Sequence, residues 1–349
     1  MEKNNEYINV YEDYKIYLNS NEIYVDMDEN ILIKMKACLK GVDLNRYPDE
    51  CMLEEIKKLY GKYAGVESKN IIVGNGSDEM LELITSATIE PGKRALALSP
   101  DFVMYDFFVP RFGGDFIKYD LKKNMKFNVE EFIDLGRQEN IDLIILSNPN
   151  NPTGIGINVS DIVRILEEFT DKTIVVDEAY FEFYGQTMVP YIDKYKNLMV
   201  TRTLSKAWGL AALRVGFLIT NEDNINRLKE NKVPYTVSSY SLKLASILLK
   251  CPDRVLENTK KIVEQREYLY LKLKELQKNS ALNIKFYESK GNFIYGKTPY
   301  KEALMRGLAN RGILIRNLKD DTFRITVGSS LENKKLLEGL EEIFLYQGV

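Results

Sequence analysis

The chain has 349 residues, of which 45% are hydrophobic and 28% are charged, and its formal net charge is -3. Such a composition predicts a globular protein with a sizeable core, and it gives no electrostatic basis for binding nucleic acid or an anionic membrane. The sequence contains no histidine, which excludes serine–histidine–aspartate and cysteine–histidine catalysis and histidine-ligated metals. An enzyme with this sequence would therefore use Lys, Tyr, Asp, Glu or a cofactor.

The first twenty residues are polar and acidic, without the apolar core of a signal peptide, and no later run approaches the length of a membrane span. Cys38, Cys51 and Cys251 include no CxxC pair and are too few for a thiolate zinc site. We therefore expect free thiols in a reducing compartment, a cytoplasmic location and no bound metal.

Short β-branched runs alternate with amphipathic helical stretches along the first 220 or so residues. One helical stretch follows Ser160, a candidate N-cap, and carries apolar residues every three or four positions. Six runs predict buried strands, at residues 70–73, 94–98, 141–146, 173–176, 198–201 and 215–219. This alternation predicts an α/β fold with a mostly parallel, doubly wound sheet covered by helices on both faces.

A different pattern begins at Pro252, where apolar residues recur at helical spacing up to residue 277 and predict one long helix. We place a domain boundary there. Residues 40–250 are predicted to form the large domain, and residues 1–39 and 251–349 an N-terminal arm and a smaller α+β domain. In the smaller domain, alternation of Ile325 and Val327 predicts an edge strand.

Polar side chains follow several predicted strands, at the edge where a doubly wound sheet binds its ligand. After the first strand, Gly74 and Gly76 permit a tight turn, and Ser77 and Asp78 then fall at a helix N-terminus whose backbone N–H groups suit a phosphate. A glycine-rich turn that simply opens a helix is the alternative interpretation.

Two further strand ends carry polar groups. Residues 147–154 form a proline-rich, non-helical loop that holds the amide of Asn151 at the strand mouth. Asp177 follows an apolar strand, where a carboxylate is destabilising unless a cation meets it. A helix cap or an ion pair with an arginine is the alternative interpretation of Asp177.

The stretch TRTLSKAWGLAALRVGF places Lys206 among hydroxyl groups and apolar residues. A solvated surface charge is the usual state of a lysine, but here Thr203, Ser205 and Arg214 supply donors and positive charge for the second side of a phosphate. Tyr105 adds an aromatic ring. A lysine nucleophile, an aspartate that needs a cation, a phosphate cradle and an aromatic ring fit pyridoxal 5'-phosphate.

The sequence also resembles the fold-type I, class I and II aminotransferases, and most closely the histidinol-phosphate aminotransferase family. The matching segments, in the family's order and near its spacing, are LNSNE (18–22), LNRYPDE (44–50), GNGSDE (74–79), SNPNNPTG (147–154), DEAY (177–180), TLSKAWGLAALRVGF (203–217) and FRITVG (323–328). Together they extend over nearly the whole chain. The resemblance implies this family's fold and pyridoxal 5'-phosphate as the cofactor.

The resemblance also implies roles for individual residues. Lys206 would hold the cofactor covalently and move the substrate's proton, and Asp177 would keep the pyridine nitrogen protonated. Asn151 and Tyr180 would hydrogen-bond the ring hydroxyl oxygen, while Tyr105 would stack on the ring face. The cofactor phosphate would be held by Ser77, Asp78, Thr203, Ser205 and Arg214.

Other implied roles concern the substrate and a second subunit. Tyr47 would reach the cofactor phosphate of the neighbouring subunit in a homodimer. Arg324 would grip a substrate carboxylate, with a surface salt bridge near residues 320–321 as the alternative. Arg316 would bind a substrate phosphate or pair with the same acidic residues. Asn21 is the third substrate-binding candidate, although the segment that it opens reads NEIY where the family usually has NENP.

Three functions are open to a chain with these motifs. The first, which we predict, is transfer of an amino group between an amino acid or a histidinol-phosphate-like donor and 2-oxoglutarate. The second is decarboxylation of a phosphorylated amino acid, as in threonine-phosphate decarboxylases, which share the motifs. The third is a catalytically silent binding or regulatory protein. Retention of Lys206, Asp177, Asn151, Tyr180 and Arg214 argues against the third.

Overall fold

The computed structural model describes residues 14–121 and 125–346. In chain order, its helices and strands are β1 (Ile16–Leu18), α1 (Glu29–Cys38), α2 (Glu50–Ala64), β2 (Ile71–Asn75), α3 (Gly76–Thr88), β3 (Arg94–Ser99), α4 (Met104–Arg111), β4 (Asp115–Asp120), α5 (Val129–Glu139), β5 (Leu143–Ser147), α6 (Val159–Glu168), β6 (Thr173–Asp177), β7 (Leu198–Thr203), β8 (Val215–Thr220), α7 (Glu222–Lys229), α8 (Ser239–Leu249), α9 (Pro252–Asn279), β9 (Lys285–Phe286), β10 (Phe293–Lys297), α10 (Lys301–Ala309), β11 (Ile313–Asn317), β12 (Thr322–Thr326) and α11 (Ser330–Glu341). No helix in these two ranges is long and apolar enough to cross a membrane.

The chain divides into two compact units. The larger unit is Asp26–Thr259, and the smaller one combines Met1–Val25 with Lys260–Val349. The predicted large domain, residues 40–250, is shorter than the larger unit at both ends. The long helix predicted from residue 252 is confirmed as α9. The boundary between the two units falls within this helix.

The larger unit contains a seven-stranded sheet in the order β2-β8-β7-β6-β5-β3-β4. The pairs β3·β4, β3·β5, β5·β6 and β6·β7 are parallel, whereas β8 is antiparallel to β7 and β2. The prediction of a mostly parallel α/β sheet is confirmed. Strand β8 reverses because residues 204–214 form a connection without the long crossover that a parallel pair requires.

All six predicted strands are present, with ends that differ by at most two residues. Strand β4 was missed because charged residues such as Lys118 interrupt its apolar pattern, and as an edge strand it exposes them to solvent. The prediction that Ser160 caps α6 is wrong. The helix begins at Val159, and the extended residue Asn158 holds the N-cap position.

The smaller unit contains a five-stranded sheet in the order β1-β11-β12-β10-β9. Strand β12 lies inside this sheet, antiparallel to both β11 and β10, so the prediction of an edge strand there is wrong. Alternation reports only that the two faces of a strand differ, and it carries no information on how many neighbours the strand has. Ile325 is fully buried in the apolar core of this unit.

Candidate active site

The register of the large sheet aligns polar residues at one end of its central strands. Ser147, Asp177 and Thr201 are register partners on β5, β6 and β7. Thr203 follows Thr201 by two positions and pairs with Gly216 on β8. Because side chains two apart on a strand share a face, both threonine hydroxyls project to the same side of the sheet.

Asp177 is 4% exposed and accepts hydrogen bonds from two neutral hydroxyl groups. The Tyr105 hydroxyl donates to Oδ2 at 2.9 Å, and the Thr201 hydroxyl donates to Oδ1 at 3.0 Å. Burial raises the pKa of Asp177 to about 6, although both hydrogen bonds oppose the shift. A buried carboxylate with neutral partners is well suited to a cationic ring nitrogen, so Asp177 fits the pyridine of pyridoxal phosphate.

The predicted phosphate-binding side chains lie together. Arg214 donates to the Asp78 carboxylate at 3.1 Å and to the Ser205 hydroxyl at 3.2 Å. The Thr203 hydroxyl donates to Ser205 at 2.9 Å. The backbone N–H of Gly76 donates to the carbonyl of Arg214 at 2.9 Å. These contacts connect the turn after β7 to the start of α3.

Gly216 permits a close approach between β8 and the first turn of α3. A Cβ at Gly216 would lie 2.2 Å from the carbonyl carbon of Gly76 and 2.3 Å from the backbone nitrogen of Ser77. Asn75 holds the N-cap position of α3, and among the described residues its side chain makes no capping hydrogen bond to this helix. The N–H groups that follow Gly76 in this first turn, together with the Arg214 guanidinium, form an arrangement that fits a phosphate.

Lys206 lies in the tight turn after β7, where its carbonyl accepts a hydrogen bond from the backbone N–H of Gly209 at 2.9 Å. Its amino nitrogen is 5.7 Å from the ring centroid of Tyr180, which follows β6. Asn151 is buried, and its backbone N–H donates to the Ser147 hydroxyl at 3.3 Å. The structure therefore brings Lys206 next to Tyr180 and anchors the Asn151 loop to the end of β5.

Two residues of this site, Thr201 and Asp101, were not predicted from the sequence. Thr201 could have been found from its spacing of two from Thr203. Asp101 accepts a hydrogen bond from the Ser147 hydroxyl, and burial raises the pKa of its carboxyl group well above the ordinary value. Its only signal in the sequence is its place in the segment that carries Tyr105.

Tyr47 differs from the other predicted cofactor residues because its side chain is 78% exposed in the single chain. It stacks on Tyr235, with ring centroids 4.7 Å apart and planes at 21°. Its predicted contact with a neighbouring subunit's cofactor stays a prediction.

The predicted substrate residues belong to the smaller unit. Arg316 and Arg324 are register partners on β11 and β12, so their side chains project from the same face. Arg324 is 8% exposed, donates to the carbonyl of Asn19 at 2.9 Å and lies 5.4 Å from the ring centroid of Phe293. The backbone N–H of Asn21 donates to the hydroxyl of Thr326, two positions after Arg324, at 2.9 Å.

Comparison with known proteins identifies the family. Residues 13–343 match the family model for aminotransferase class I and II. The histidinol-phosphate aminotransferase of Clostridium novyi (strain NT) is 40% identical over 330 residues, which cover 93% of this chain and 91% of that protein. The chain therefore belongs to the class I and II aminotransferases. It is an enzyme that transfers amino groups between small molecules with pyridoxal 5'-phosphate as its cofactor.

Solved structures share the fold. The histidinol-phosphate aminotransferase from Sinorhizobium meliloti, in complex with pyridoxal-5'-phosphate, has a TM-score of 0.84 at 21% identity and covers 95% of this chain and 90% of its own. L-threonine-O-3-phosphate decarboxylase from Porphyromonas gingivalis has a TM-score of 0.78, also at 21% identity, with coverages of 94% and 98%. Since a transaminase and a decarboxylase share this fold, the fold alone does not fix the substrate.

Proposed function

We propose that this enzyme transfers the amino group of a histidinol-phosphate-like donor to 2-oxoglutarate. The observation that carries the proposal is the cross-strand pairing of Arg316 and Arg324. Two like charges opposite each other favour an anion between or beside them, and both substrates are anionic. The relatives named histidinol-phosphate aminotransferases support the choice of donor. Because both substrates are small metabolites, we infer a cytoplasmic enzyme.

The residues of the larger unit would divide the work on the cofactor. Pyridoxal 5'-phosphate supplies an aldehyde that combines with amino groups and a ring that accepts electrons. Lys206 would hold the cofactor and move the proton at the substrate carbon. Asp177 would stabilise the protonated ring nitrogen. Arg214 and Ser205 would bind the phosphate, with Tyr180 beside the lysine amine.

A half-reaction assay tests the substrates. We expect glutamate alone, and histidinol phosphate alone, each to change the visible absorbance of the bound cofactor, and steady-state kinetics to be ping-pong. Arg324→Ala should raise the KM for glutamate by about a hundredfold, since a charge-assisted bidentate contact contributes a few kcal/mol. Lys297→Ala, which removes an exposed cation from the neighbouring strand β10, is the matched control and should change KM little.

The same half-reaction assay can also refute the proposed transamination. If glutamate leaves the absorbance unchanged while threonine phosphate releases carbon dioxide, the enzyme is a decarboxylase and the proposed transamination is wrong. A wild-type KM for glutamate in Arg324→Ala would remove the assigned role of that residue.

We also infer a homodimer whose sites are shared. Tyr47 stacks on Tyr235, and both side chains are exposed, as are Leu44 and Val233 close to them in the sequence; a second copy of the chain would cover the stacked pair. If Tyr47 serves the partner's site, Lys206→Ala and Tyr47→Ala dimers should each be weakly active. Mixing and exchanging their subunits should then restore activity, because each mixed dimer has one site with both wild-type residues. A fully active monomer by sedimentation, or no recovery after subunit exchange, would refute shared sites.

A further inference from the structure

A second set of polar side chains lies on the face of the large sheet opposite Thr201 and Thr203. Arg202, between the two threonines on β7, projects to this other face and is 2% exposed. Its guanidinium donates to the Glu178 carboxylate at 2.9 and 2.8 Å and lies 3.5 Å from the ring centroid of Phe181. The charge of Arg202 is thus matched by Glu178.

Glu182, in the short helix Phe181–Phe183, has a different pair of donors. The indole N–H of Trp208 donates to its Oε1 at 3.1 Å, and the hydroxyl of Tyr63 reaches the same oxygen at 3.5 Å. Trp208 is 2% exposed and packs edge-on against Tyr63, with ring centroids 4.9 Å apart. The hydrogen bond between Glu182 and Trp208 joins two segments that are 26 residues apart in the chain.

Both segments carry residues of the active site. Trp208 lies two positions after Lys206 in the same turn, and Glu182 lies two positions after Tyr180. The backbone contact between Lys206 and Gly209 closes the turn, but it lies within that turn and does not reach Tyr180. The Glu182–Trp208 hydrogen bond is a direct side-chain connection between the turn of Lys206 and the segment of Tyr180.

We propose that Glu182 and Trp208 are positioning residues that hold Lys206 against Tyr180. The bond fixes the turn from the face of the sheet opposite the cofactor site, and the lysine amine keeps its place beside the Tyr180 ring. The effect on catalysis rests on the proposed attachment of the cofactor to Lys206. The hydrogen bond itself can be measured without the cofactor.

The environment of Glu182 provides a signal for that measurement. Burial raises the pKa of Glu182 to about 7, and the nearby Arg202 charge opposes the shift. The other titratable groups that face it are Glu178, Tyr60 and Tyr63. Near neutral pH the acceptor of the indole N–H therefore changes between a carboxyl group and a carboxylate, which binds the donor more strongly. Trp208 is the one tryptophan in the sequence, so its fluorescence reports on this acceptor.

The first experiment titrates the tryptophan fluorescence of the cofactor-free protein. We expect a transition near pH 7 in the wild type and its loss in Glu182→Gln, because the amide does not titrate. Glu167→Gln is the matched control, since Glu167 on α6 also accepts a hydrogen bond from an aromatic side chain, Tyr195, at 2.7 Å. It should keep the transition. The same transition in Glu182→Gln would overturn the proposal at its first step.

The second experiment uses the holoenzyme and tests the positioning of Lys206. Trp208→Phe keeps the packed ring and removes the N–H donor, so the pH midpoint of the cofactor's visible absorbance should shift. We expect kcat to fall about tenfold with little change in donor KM, as a slightly misplaced catalytic group would produce. Glu182→Gln keeps an acceptor oxygen and should stay within about threefold of wild-type kcat.

The outcomes separate the positioning role of Glu182 and Trp208 from the proposed attachment of the cofactor to Lys206. A wild-type absorbance midpoint and kcat in Trp208→Phe would overturn the positioning role. If borohydride reduction instead attached the cofactor to another lysine, the assignment of Lys206 would fail, while the fluorescence result would still stand for the hydrogen bond.

Discussion

Asp177→Asn is expected to bind pyridoxal phosphate but to lose several orders of magnitude in kcat. The amide cannot stabilise a protonated ring nitrogen, and a preorganised charge at such a site contributes roughly 4 kcal/mol or more. Asp134→Asn, which removes an exposed carboxylate from α5, should leave kcat unchanged. Steady-state kinetics with saturating cofactor measure both variants. Near-normal turnover in Asp177→Asn would contradict the assigned role.

The same substitution should stabilise the cofactor-free protein at high pH. Because burial raises the pKa of Asp177 from its ordinary value of 3.8 to about 6, the wild type loses stability as the pH rises through this interval. This rise in the pKa corresponds to a loss of at most about 3 kcal/mol in the free energy of unfolding at high pH. The neutral amide of asparagine does not ionise and would not cause this loss. Urea unfolding at pH 5 and pH 8 should show the variant's advantage growing with pH. An advantage that shrinks with pH would show that burial does not disfavour this carboxylate.

Lys206→Ala is expected to abolish covalent attachment of the cofactor and to lower kcat by roughly four orders of magnitude, since the same amine would also transfer the substrate's proton. Borohydride reduction of the wild type followed by peptide mapping should find the label on Lys206 alone. Lys196→Ala removes an exposed lysine and should keep both label and turnover. A label on any other lysine in the wild type would disprove the assignment.

The central sheet could be predicted because its strands are buried on both faces. β5, β8 and the predicted part of β7, residues 198–201, are continuous apolar or small-residue runs in which every residue is buried, and such runs are recognisable in a single sequence. Edge positions were not predictable in this way. β4 exposes charged residues and was missed, and β12 was assigned to an edge although it has a neighbour on each side.

Residues of the candidate site were predictable where a local motif carries them. Ser77, Asp78, Ser205, Lys206 and Arg214 lie in short segments next to strands, and the structure brings Asp78, Ser205 and Arg214 into contact. Thr201, Asp101 and Glu182 were missed, since no local motif singles them out beyond the spacing of Thr201 from Thr203 and the position of Asp101 in the segment of Tyr105. Their importance comes from partners on other strands and turns.

The sequence by itself determined the class of chemistry. The absence of histidine, together with motifs that supply a lysine, an aspartate and a phosphate site in a fixed order, is a property of residue types and spacing. Only the tertiary structure decided that Asp177 has neutral partners, that Arg316 opposes Arg324, and that Trp208 meets Glu182. These features depend on strand register and burial, which arise when segments far apart in the chain pack together.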